Sequence, residues 1–372
     1  MSDTFVERET TGFLSNMGRS IMAVPIGILL FLLSFVVFWM TEGRTDWSKV
    51  AGSSVVASAD AASGQDGKFV SITGPLTSSE KLGDPEFIEP GDYIRLYRSP
   101  QMYAWVEDRK TESKKKVGGK TEQVTTYNYE TRWNSSPKSS GDFKYPQGHE
   151  NPTMSVVSQE FVVQTANVGA WSFPAGDAGL PGLDELILTE SVKLKGKGAS
   201  GQKIGNEVFL GTGTTDVPKV GDIKVSWTAL PSGQTVTLFG QASGGTLGAY
   251  MHKDEDRFFR ALRGNRGEAI AALKSEYKAM GWVGRVVGFL MMWIGMTMVF
   301  TPLHALLDVV PFLGSISRNL LGCALFPIAL VLSAISILIS MLLHSIVAMV
   351  VITLLLGGLG FYAWKKKQEG VS

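Results

Sequence analysis

Residues 319–364 read NLLGCALFPIALVLSAISILISMLLHSIVAMVVITLLLGGLGFYAW and contain no Asp, Glu, Lys or Arg. A charged side chain at the bilayer centre costs about 2.5–3.5 kcal/mol on insertion scales, so this composition is typical of membrane helices. The run is roughly twice the length of about 20 residues that one helix needs to cross a bilayer. We therefore predict two transmembrane helices, at 318–339 and 343–364, which turn near Ser340 to Ser345. One span followed by a re-entrant segment is the alternative.

Two earlier segments have the same character. Residues 21–40 carry no charge, and residues 284–307 are apolar apart from His304. Each is long enough to cross the hydrocarbon core as a helix. We therefore predict transmembrane helices at 20–41 and 284–307, with a cytoplasmic loop at 308–317 before the third helix.

The charges that flank the four predicted spans set their orientation. The C-terminal tail, 365–372, begins with three consecutive lysines, and short basic segments stay on the cytoplasmic side. With four spans the N-terminal tail, 1–19, is also cytoplasmic. The segment 42–253 then lies outside the cytoplasm, in a periplasm or a lumen.

The overall composition excludes several classes of protein. The 372 residues have a formal net charge of +1, which gives no global attraction to nucleic acid. Cys323 is the single cysteine, so neither an internal disulfide nor a cysteine-based metal site can form within one chain. The four histidines are not at ligand spacing. We expect no metal, no cofactor and no catalytic residues.

The segment 42–253 consists of short runs of β-branched and alternating residues, bounded by Gly, Pro and Asp, which indicates strands and turns. The predicted fold class is therefore a membrane protein of α+β type, with one N-terminal helix, three C-terminal helices and a large β-rich extracytoplasmic domain. Residues 102–109 and 121–133 flank Gly118-Gly119, which predicts a long hairpin. The candidate contacts at its tip, either solvated or bound to lipid or a partner, are Lys114, Lys115 and Lys116.

Two stretches of this domain resemble each other. Residues 68–97 and residues 207–227 both read as a strand, a loop, a Gly-Asp turn and a second strand with alternating basic and apolar residues. This pattern suggests two related β-modules. Two Gly-Asp turns before strands can also coincide by chance.

The segment 254–283 is rich in helix formers, and Asp254 is a plausible N-cap. We predict a juxtamembrane helical segment here, broken near Gly264 and Gly267. Its arginines recur at every third position. They could contact lipid phosphates or a neighbouring subunit, or simply form a solvated helix face; these arginines are Arg257, Arg260, Arg263 and Arg266.

Six short strings, in this order along the chain, carry a resemblance to a known family. They contain the motif residues Glu42, Gly43, Arg44, Trp105, Tyr127, Tyr129, Trp133, His149, Asn151, Pro152, Gly221 and Asp222, together with the string Ser71-Ile-Thr-Gly-Pro-Leu76. With the layout of one span, a large domain and three spans, the chain resembles the transmembrane protein 43 family, also called LUMA. Thr41 stands where the family usually has Asn.

The resemblance implies four spans, two cytoplasmic termini and no agreed enzymatic activity. Eukaryotic relatives lie in the endoplasmic reticulum and the inner nuclear membrane, where they self-associate and organise other membrane proteins. For this chain we expect the bacterial inner membrane, or those eukaryotic membranes if its host is a eukaryote. The aromatic motif residues are expected to pack in the core or the hairpin rather than to form a binding platform.

The function predicted from these observations is a membrane-anchored scaffold that self-assembles and organises membrane proteins or lipids. Its expected partners are membrane lipids, further copies of the chain and other membrane proteins, but not nucleic acid. A channel or transporter formed by an oligomer is the first alternative. An enzyme that modifies lipids or the cell envelope is the second, and it would need paired carboxylates or a nucleophile with a base.

Overall fold

The structure is a computed structural model and describes residues 3–116, 120–253, 256–302 and 311–344. The chain divides into two compact units. The first unit is formed by Met1–Val6, Trp47–Lys110 and Thr126–Lys274. The second unit is formed by Glu7–Asp46, Thr111–Thr125 and Ser275–Ser372.

One mixed set of long and short strands forms the larger sheet. Its strands are β1 (Asp3–Thr11), β6 (Tyr93–Lys115), β7 (Thr121–Asn134), β8 (Gln159–Val162), β11 (Asp184–Glu185), β12 (Gln202–Ile204), β13 (Glu207–Leu210) and β14 (Ile223–Pro231). The main order is β1-β7-β6-β14-β13-β12, with β8 beside β6 and β11 beside β14. Along β14, Ile223, Val225 and Trp227 are buried and alternate with half-buried residues, as a strand with one face on a core requires.

The second sheet lies entirely in the first unit. Its strands are β2 (Val55–Ala57), β3 (Phe69–Thr77), β9 (Thr165–Val168), β10 (Trp171–Pro174), β15 (Thr235–Ser243), β16 (Thr246–Gly248) and β19 (Arg260–Arg263). β15 pairs along almost its whole length with β3. Val70, Ile72, Trp171 and Leu238 are fully buried between these strands. The two-stranded ribbons are β4 (Leu82–Asp84) with β5 (Ile88–Gly91), and β17 (Tyr250–His252) with β18 (Asp256–Phe258).

The predicted hairpin is confirmed, because β6 and β7 are neighbours in the larger sheet. The N-terminal segment was predicted as a free cytoplasmic tail, but residues 3–11 form the edge strand β1 beside β7. Two strands that hydrogen-bond to each other must lie in the same aqueous compartment. The pairing is therefore incompatible with a tail and a hairpin on opposite sides of the membrane.

The predicted pair of related β-modules is not present. In the first stretch, β3 lies in the smaller sheet and β6 in the larger one. In the second stretch, β13 and β14 are antiparallel neighbours in the same sheet. The two stretches are similar in local pattern but are used differently, since a turn motif fixes only the residues beside it.

The helices are α1 (Phe13–Glu42), α2 (Trp47–Gly52), α3 (Lys197–Ser200), α4 (Arg266–Val299) and α5 (Pro311–His344). Within the described residues, three helices are long and apolar enough to cross a membrane, namely α1 from Ile21 onward, α4 and α5. The first helix begins before the predicted 20–41, and α5 continues through Ser340, where a turn was predicted. The predicted span 343–364 and tail 365–372 lie outside the described residues beyond His344.

In the second unit α1, α4 and α5 pack together through small residues. A Cβ added to Gly295 of α4 would lie 2.7 Å from the carbonyl oxygen of Gly27 on α1, so only glycine permits this approach. Trp293 donates from Nε1 to the carbonyl oxygen of Gly322 at 3.0 Å. Ser340 donates to the carbonyl oxygen of Phe38 at 3.3 Å. Interhelical hydrogen bonds of this kind hold helices together where no water competes.

The predicted helical segment 254–283 is wrong in its first part. Residues 256–258 and 260–263 are strands, and the helix begins only at Arg266. Phe258, Phe259 and Ala261 are buried in the β core. Their burial outweighs the weak local helix propensity. From Arg266 the helix is continuous, so the segment and the predicted span 284–307 share one helix as far as Val299.

Candidate functional site

The motif strings meet around one histidine at the base of the hairpin. We call the side chains of Trp105 on β6, Tyr129 on β7, and Tyr145 and His149 on the following loop the His149 pocket. The His149 ring stacks on Tyr129, with ring centroids 4.1 Å apart, and Trp105 meets it edge-on at 4.8 Å. Offset stacks and edge-on contacts are the favoured arrangements for such rings.

Hydrogen bonds to the Tyr129 hydroxyl fix the pocket wall. The hydroxyl donates to the Glu107 carboxylate in a short contact and accepts the Tyr145 backbone N–H at 2.9 Å. Glu107 also accepts the Lys144 backbone N–H at 2.6 Å. Burial, followed by the hydrogen bond to Glu107, raises the pKa of Tyr129 to about 12. The phenol is therefore protonated, and it acts as a structural donor rather than as a base.

His149 itself is 1% exposed. Its Nδ1 lies 3.0 Å from the Tyr145 carbonyl oxygen, and because a carbonyl only accepts, Nδ1 carries the proton. Nε2 is buried without a hydrogen-bond partner. The Asp3 carboxylate lies 3.4 Å from Nε2, which is within ion-pair range but poorly aligned for a hydrogen bond. We rely on the alignment criterion, and Nε2 is thus a polar atom with an incomplete set of partners.

Asn151 ties the loop to β6. Its Oδ1 accepts the Trp105 backbone N–H at 2.8 Å, and its Nδ2 donates to the Trp105 carbonyl oxygen at 2.9 Å. The amide thus takes the place of a neighbouring strand at this position. The notebook of motif residues on this face continues with Trp133, whose ring meets Tyr103 edge-on at 5.4 Å. A role in packing, as predicted for these aromatic residues, accounts for their positions.

The Gly221-Asp222 motif shapes the turn before β14. Gly221 has a φ of +99°, a conformation that favours glycine, and a Cβ there would lie 3.0 Å from Pro152. The Asp222 carboxylate accepts three backbone N–H groups at 2.7–3.1 Å, from Thr212, Gly213 and Lys219. A buried carboxylate with three such donors organises a loop.

The Glu42-Gly43-Arg44 string lies at the C-terminal end of α1. Glu42 receives two hydrogen bonds from Arg285 of α4, at 2.8 and 3.0 Å. Arg44 donates to the carbonyl oxygens of Thr41 at 2.8 Å and Tyr277 at 3.3 Å. A Cβ on Gly43 would lie 2.4 Å from Nε2 of His344. The string therefore fastens the ends of three helices within the second unit.

A buried ionic cluster that the sequence did not reveal lies under the larger sheet. Arg98 is 1% exposed, and Asp84 is fully buried. Nη1 of Arg98 lies 3.0 Å from Asp84, and Nε1 of Trp227 also donates to Asp84 at 3.0 Å. Glu86 joins Arg98 at the edge of this cluster. A hydrogen bond from Lys197 is the main cause that lowers the pKa of the Glu86 carboxyl.

The four candidate arginines lie on three elements rather than on one helix face. Arg263 forms an ion pair with Asp184 at 2.7 Å, and this hydrogen bond lowers the pKa of the Asp184 carboxyl. Arg266 donates to the carbonyl oxygens of Ala51, Gly52 and Ser54. The remaining two also contact the chain, since Arg257 donates to a carbonyl oxygen at 3.4 Å and Arg260 has partners of its own.

The lysines of the hairpin tip are partly described. Lys116 forms an ion pair with Glu122 at 2.9 Å, and this contact lowers the pKa of the Glu122 carboxyl. Lys114 is exposed. Among the described residues, no group of His, Cys, Asp and Glu side chains is arranged to hold a metal ion.

Comparisons with known proteins agree on one family. The family model of transmembrane protein 43 matches residues 102–346. The mouse and human proteins named transmembrane protein 43 are each 27% identical to this chain, over 319 and 330 residues, with 81% of this chain and 79% of each relative covered. A fruit-fly homologue is 25% identical over 308 residues, with 79% of this chain and 80% of the relative covered. No solved structure matches significantly.

Proposed function

The chain belongs to the transmembrane protein 43 family, and from this premise we propose that it is a membrane-anchored scaffold that assembles with further copies of itself. The observation that carries the proposal is how its unusual polar groups are used. The partners of Glu107, Asp222, Arg98 and Glu42 are backbone groups or other side chains of the protein. Such groups hold shape, which suits a binding surface better than a reaction.

The apolar helices support the anchoring part of the proposal. Leu32 of α1, Val286 of α4 and Leu338 of α5 are exposed, as are many other large apolar side chains of these helices. Exposed apolar surface of this extent marks an interaction with a membrane or a protein. We infer that lipid acyl chains cover most of it and that neighbouring membrane proteins cover the rest.

Self-assembly is tested on the full chain in lipid nanodiscs. Two versions with different affinity tags are co-expressed, and purification through one tag is followed by detection of the other. Mass photometry then gives the particle mass. We expect the two tags to purify together and the mass to correspond to several chains of 40.2 kDa. Monomers at every concentration, with no co-purification, would contradict the proposal.

The same preparation separates a scaffold from the alternatives. Ion flux through liposomes that contain the oligomer would favour the channel. Turnover of a lipid or envelope substrate would favour the enzyme. An oligomer that shows neither activity, and that retains other membrane proteins through the purification, is the outcome expected of a scaffold.

A further inference from the structure

The edge strand β1 places three consecutive side chains on the His149 pocket. Phe5 stacks on Tyr145, with ring centroids 4.4 Å apart, and meets Tyr129 edge-on at 5.9 Å. Thr4 donates to the Asn128 side-chain oxygen at 2.9 Å. Asp3 faces Nε2 of His149 at 3.4 Å. The pocket thus recognises an extended strand with a carboxylate two positions before an aromatic ring.

The pocket has supports that do not involve β1. Glu107 and the Tyr145 backbone hold the Tyr129 hydroxyl. The Tyr145 carbonyl and the edge of Trp105 hold the His149 ring. Removal of β1 would therefore leave the walls in place and expose an aromatic surface together with a buried nitrogen that lacks a partner. A preformed pocket of this kind beside an open strand edge is suited to strand addition.

The strand that fills the pocket is weakly attached to its own chain. All of its residues are exposed except Thr11, which is buried, and Glu7, which is half-buried. Even Phe5 keeps 36% of its surface exposed. The strand lies at the chain terminus, and Gly12, which has open space around its Cα, joins it to α1. Terminal edge strands with so little buried surface open at low free-energy cost.

We propose that the His149 pocket is a docking site for β1 of a second copy, so that neighbouring chains exchange their N-terminal strands. This inference rests on the self-assembly put forward as the function, and it names the site. A second copy carries both the Asp3-Thr4-Phe5 sequence and the pocket, so each chain can give and receive a strand. Exchange of an identical element keeps every contact of the closed form, which makes it a low-cost route to assembly.

Membrane anchoring favours the exchange. All copies insert with the same orientation, so strands and pockets of neighbours share one compartment. Confinement to a bilayer raises the effective concentration of one partner around the other, as a tether does. The cost of association is thus smaller than for a freely diffusing protein with the same contacts.

The test uses disulfide trapping in the full chain, in a Cys323→Ser background and in nanodiscs. Thr4→Cys is carried by copies with one tag, and Asn128→Cys by copies with the other. A disulfide between the tags forms only if a strand enters the pocket of a second copy. As a positive control for docking, one chain carries both cysteines. As a matched negative control, Gln202→Cys on β12, the opposite edge of the same sheet, replaces Asn128→Cys.

We expect a disulfide between differently tagged Thr4→Cys and Asn128→Cys copies, and at least tenfold less with Gln202→Cys. Phe5→Ala should reduce the yield several-fold, and Phe5→Tyr should restore most of it. A disulfide only within the doubly substituted chain, in particles that are still oligomers, overturns strand exchange and leaves the scaffold proposal intact. Monomeric particles overturn both. Equal trapping at Gln202→Cys, or no trapping in any pair, overturns strand exchange.

Discussion

Two clusters of polar and aromatic side chains in the first unit differ in how completely the chain satisfies them. Around Arg98 the ion pair, the Trp227 N–H and the carboxylate of Asp84 are closed within the core. In the His149 pocket the last partners come from a terminal strand, and Nε2 still lacks a hydrogen bond. The comparison teaches that a buried charge with all its partners serves the fold, whereas an incomplete set serves binding.

The largest effect is expected in the closed cluster. Arg98→Ala leaves Asp84 buried without its charged partner, and such a loss typically costs about 3–5 kcal/mol. Denaturant unfolding of the detergent-solubilised protein, followed by tryptophan fluorescence, should show this decrease in the free energy of unfolding. A decrease below about 1 kcal/mol would mean that the cluster is no more important than a surface pair.

A smaller effect is expected in the fixed wall of the pocket. Tyr129→Phe removes the hydroxyl that joins Glu107 to the Tyr145 backbone, and we expect the unfolding free energy to fall by about 1–3 kcal/mol. A double-mutant cycle with Glu107→Gln provides the control. If the two substitutions are simply additive, the hydroxyl and the carboxylate do not stabilise each other.

The same wall predicts a response to alkaline pH. The folded protein raises the pKa of Tyr129 to about 12, above the ordinary value of 10.0, through burial and the hydrogen bond to Glu107. A raised pKa means that the stabilisation is complete below pH about 10 and is lost as the pH rises through about 12. The stability difference between wild type and Tyr129→Phe should therefore shrink across this window. A constant difference would contradict the assignment.

A local effect is expected where the terminal strand meets the pocket. Phe5→Ala removes the stack on Tyr145, and an aromatic pair contributes about 0.5–1.5 kcal/mol beyond burial. Hydrogen exchange of residues 3–11 should accelerate by roughly two- to tenfold, while exchange around Arg98 is unchanged. Equal acceleration at both places would show that the strand is part of the global fold.

The smallest effect is expected at an ion pair on the surface of the hairpin. Arg132 and Asp108 are both about half exposed, and exposed pairs contribute about 0–1 kcal/mol. Arg132→Ala should leave the unfolding free energy nearly unchanged in the same denaturation experiment. This substitution is the matched control for Arg98→Ala, because both remove one guanidinium from a carboxylate.

The sequence predicted the parts of the fold that depend on local composition. Uncharged apolar runs identified α1, α4 and α5, and two glycines between alternating runs identified the hairpin. The strands at 256–263 were missed because burial of Phe258 and Ala261 decides them, and burial depends on residues far away in the chain. The edge strand was missed because its charges resemble a solvated tail, although Thr4, Phe5 and Val6 give some β signal.

The candidate site was predicted as a set of residues but not as a place. Trp105, Tyr129, His149 and Asn151 were singled out from separate strings, and the packing role expected of the aromatic residues agrees with their contacts. Nothing in the order of the strings indicated that Phe5 would join them. The cluster of Asp84 and Arg98 gave no signal, since a charged pair looks the same in sequence whether it is buried or solvated.

The separation of β1 from its partner has a consequence for how the protein is made. Thr4 and Asn128 are 124 residues apart, and a ribosome adds roughly 5–20 residues per second. A newly made N-terminal strand thus waits for seconds before its own hairpin emerges. Chains translated in succession from one message enter the same patch of membrane, so the first finished hairpin that a nascent strand meets belongs to an older sibling. Order of synthesis alone would then bias the strand toward a neighbour.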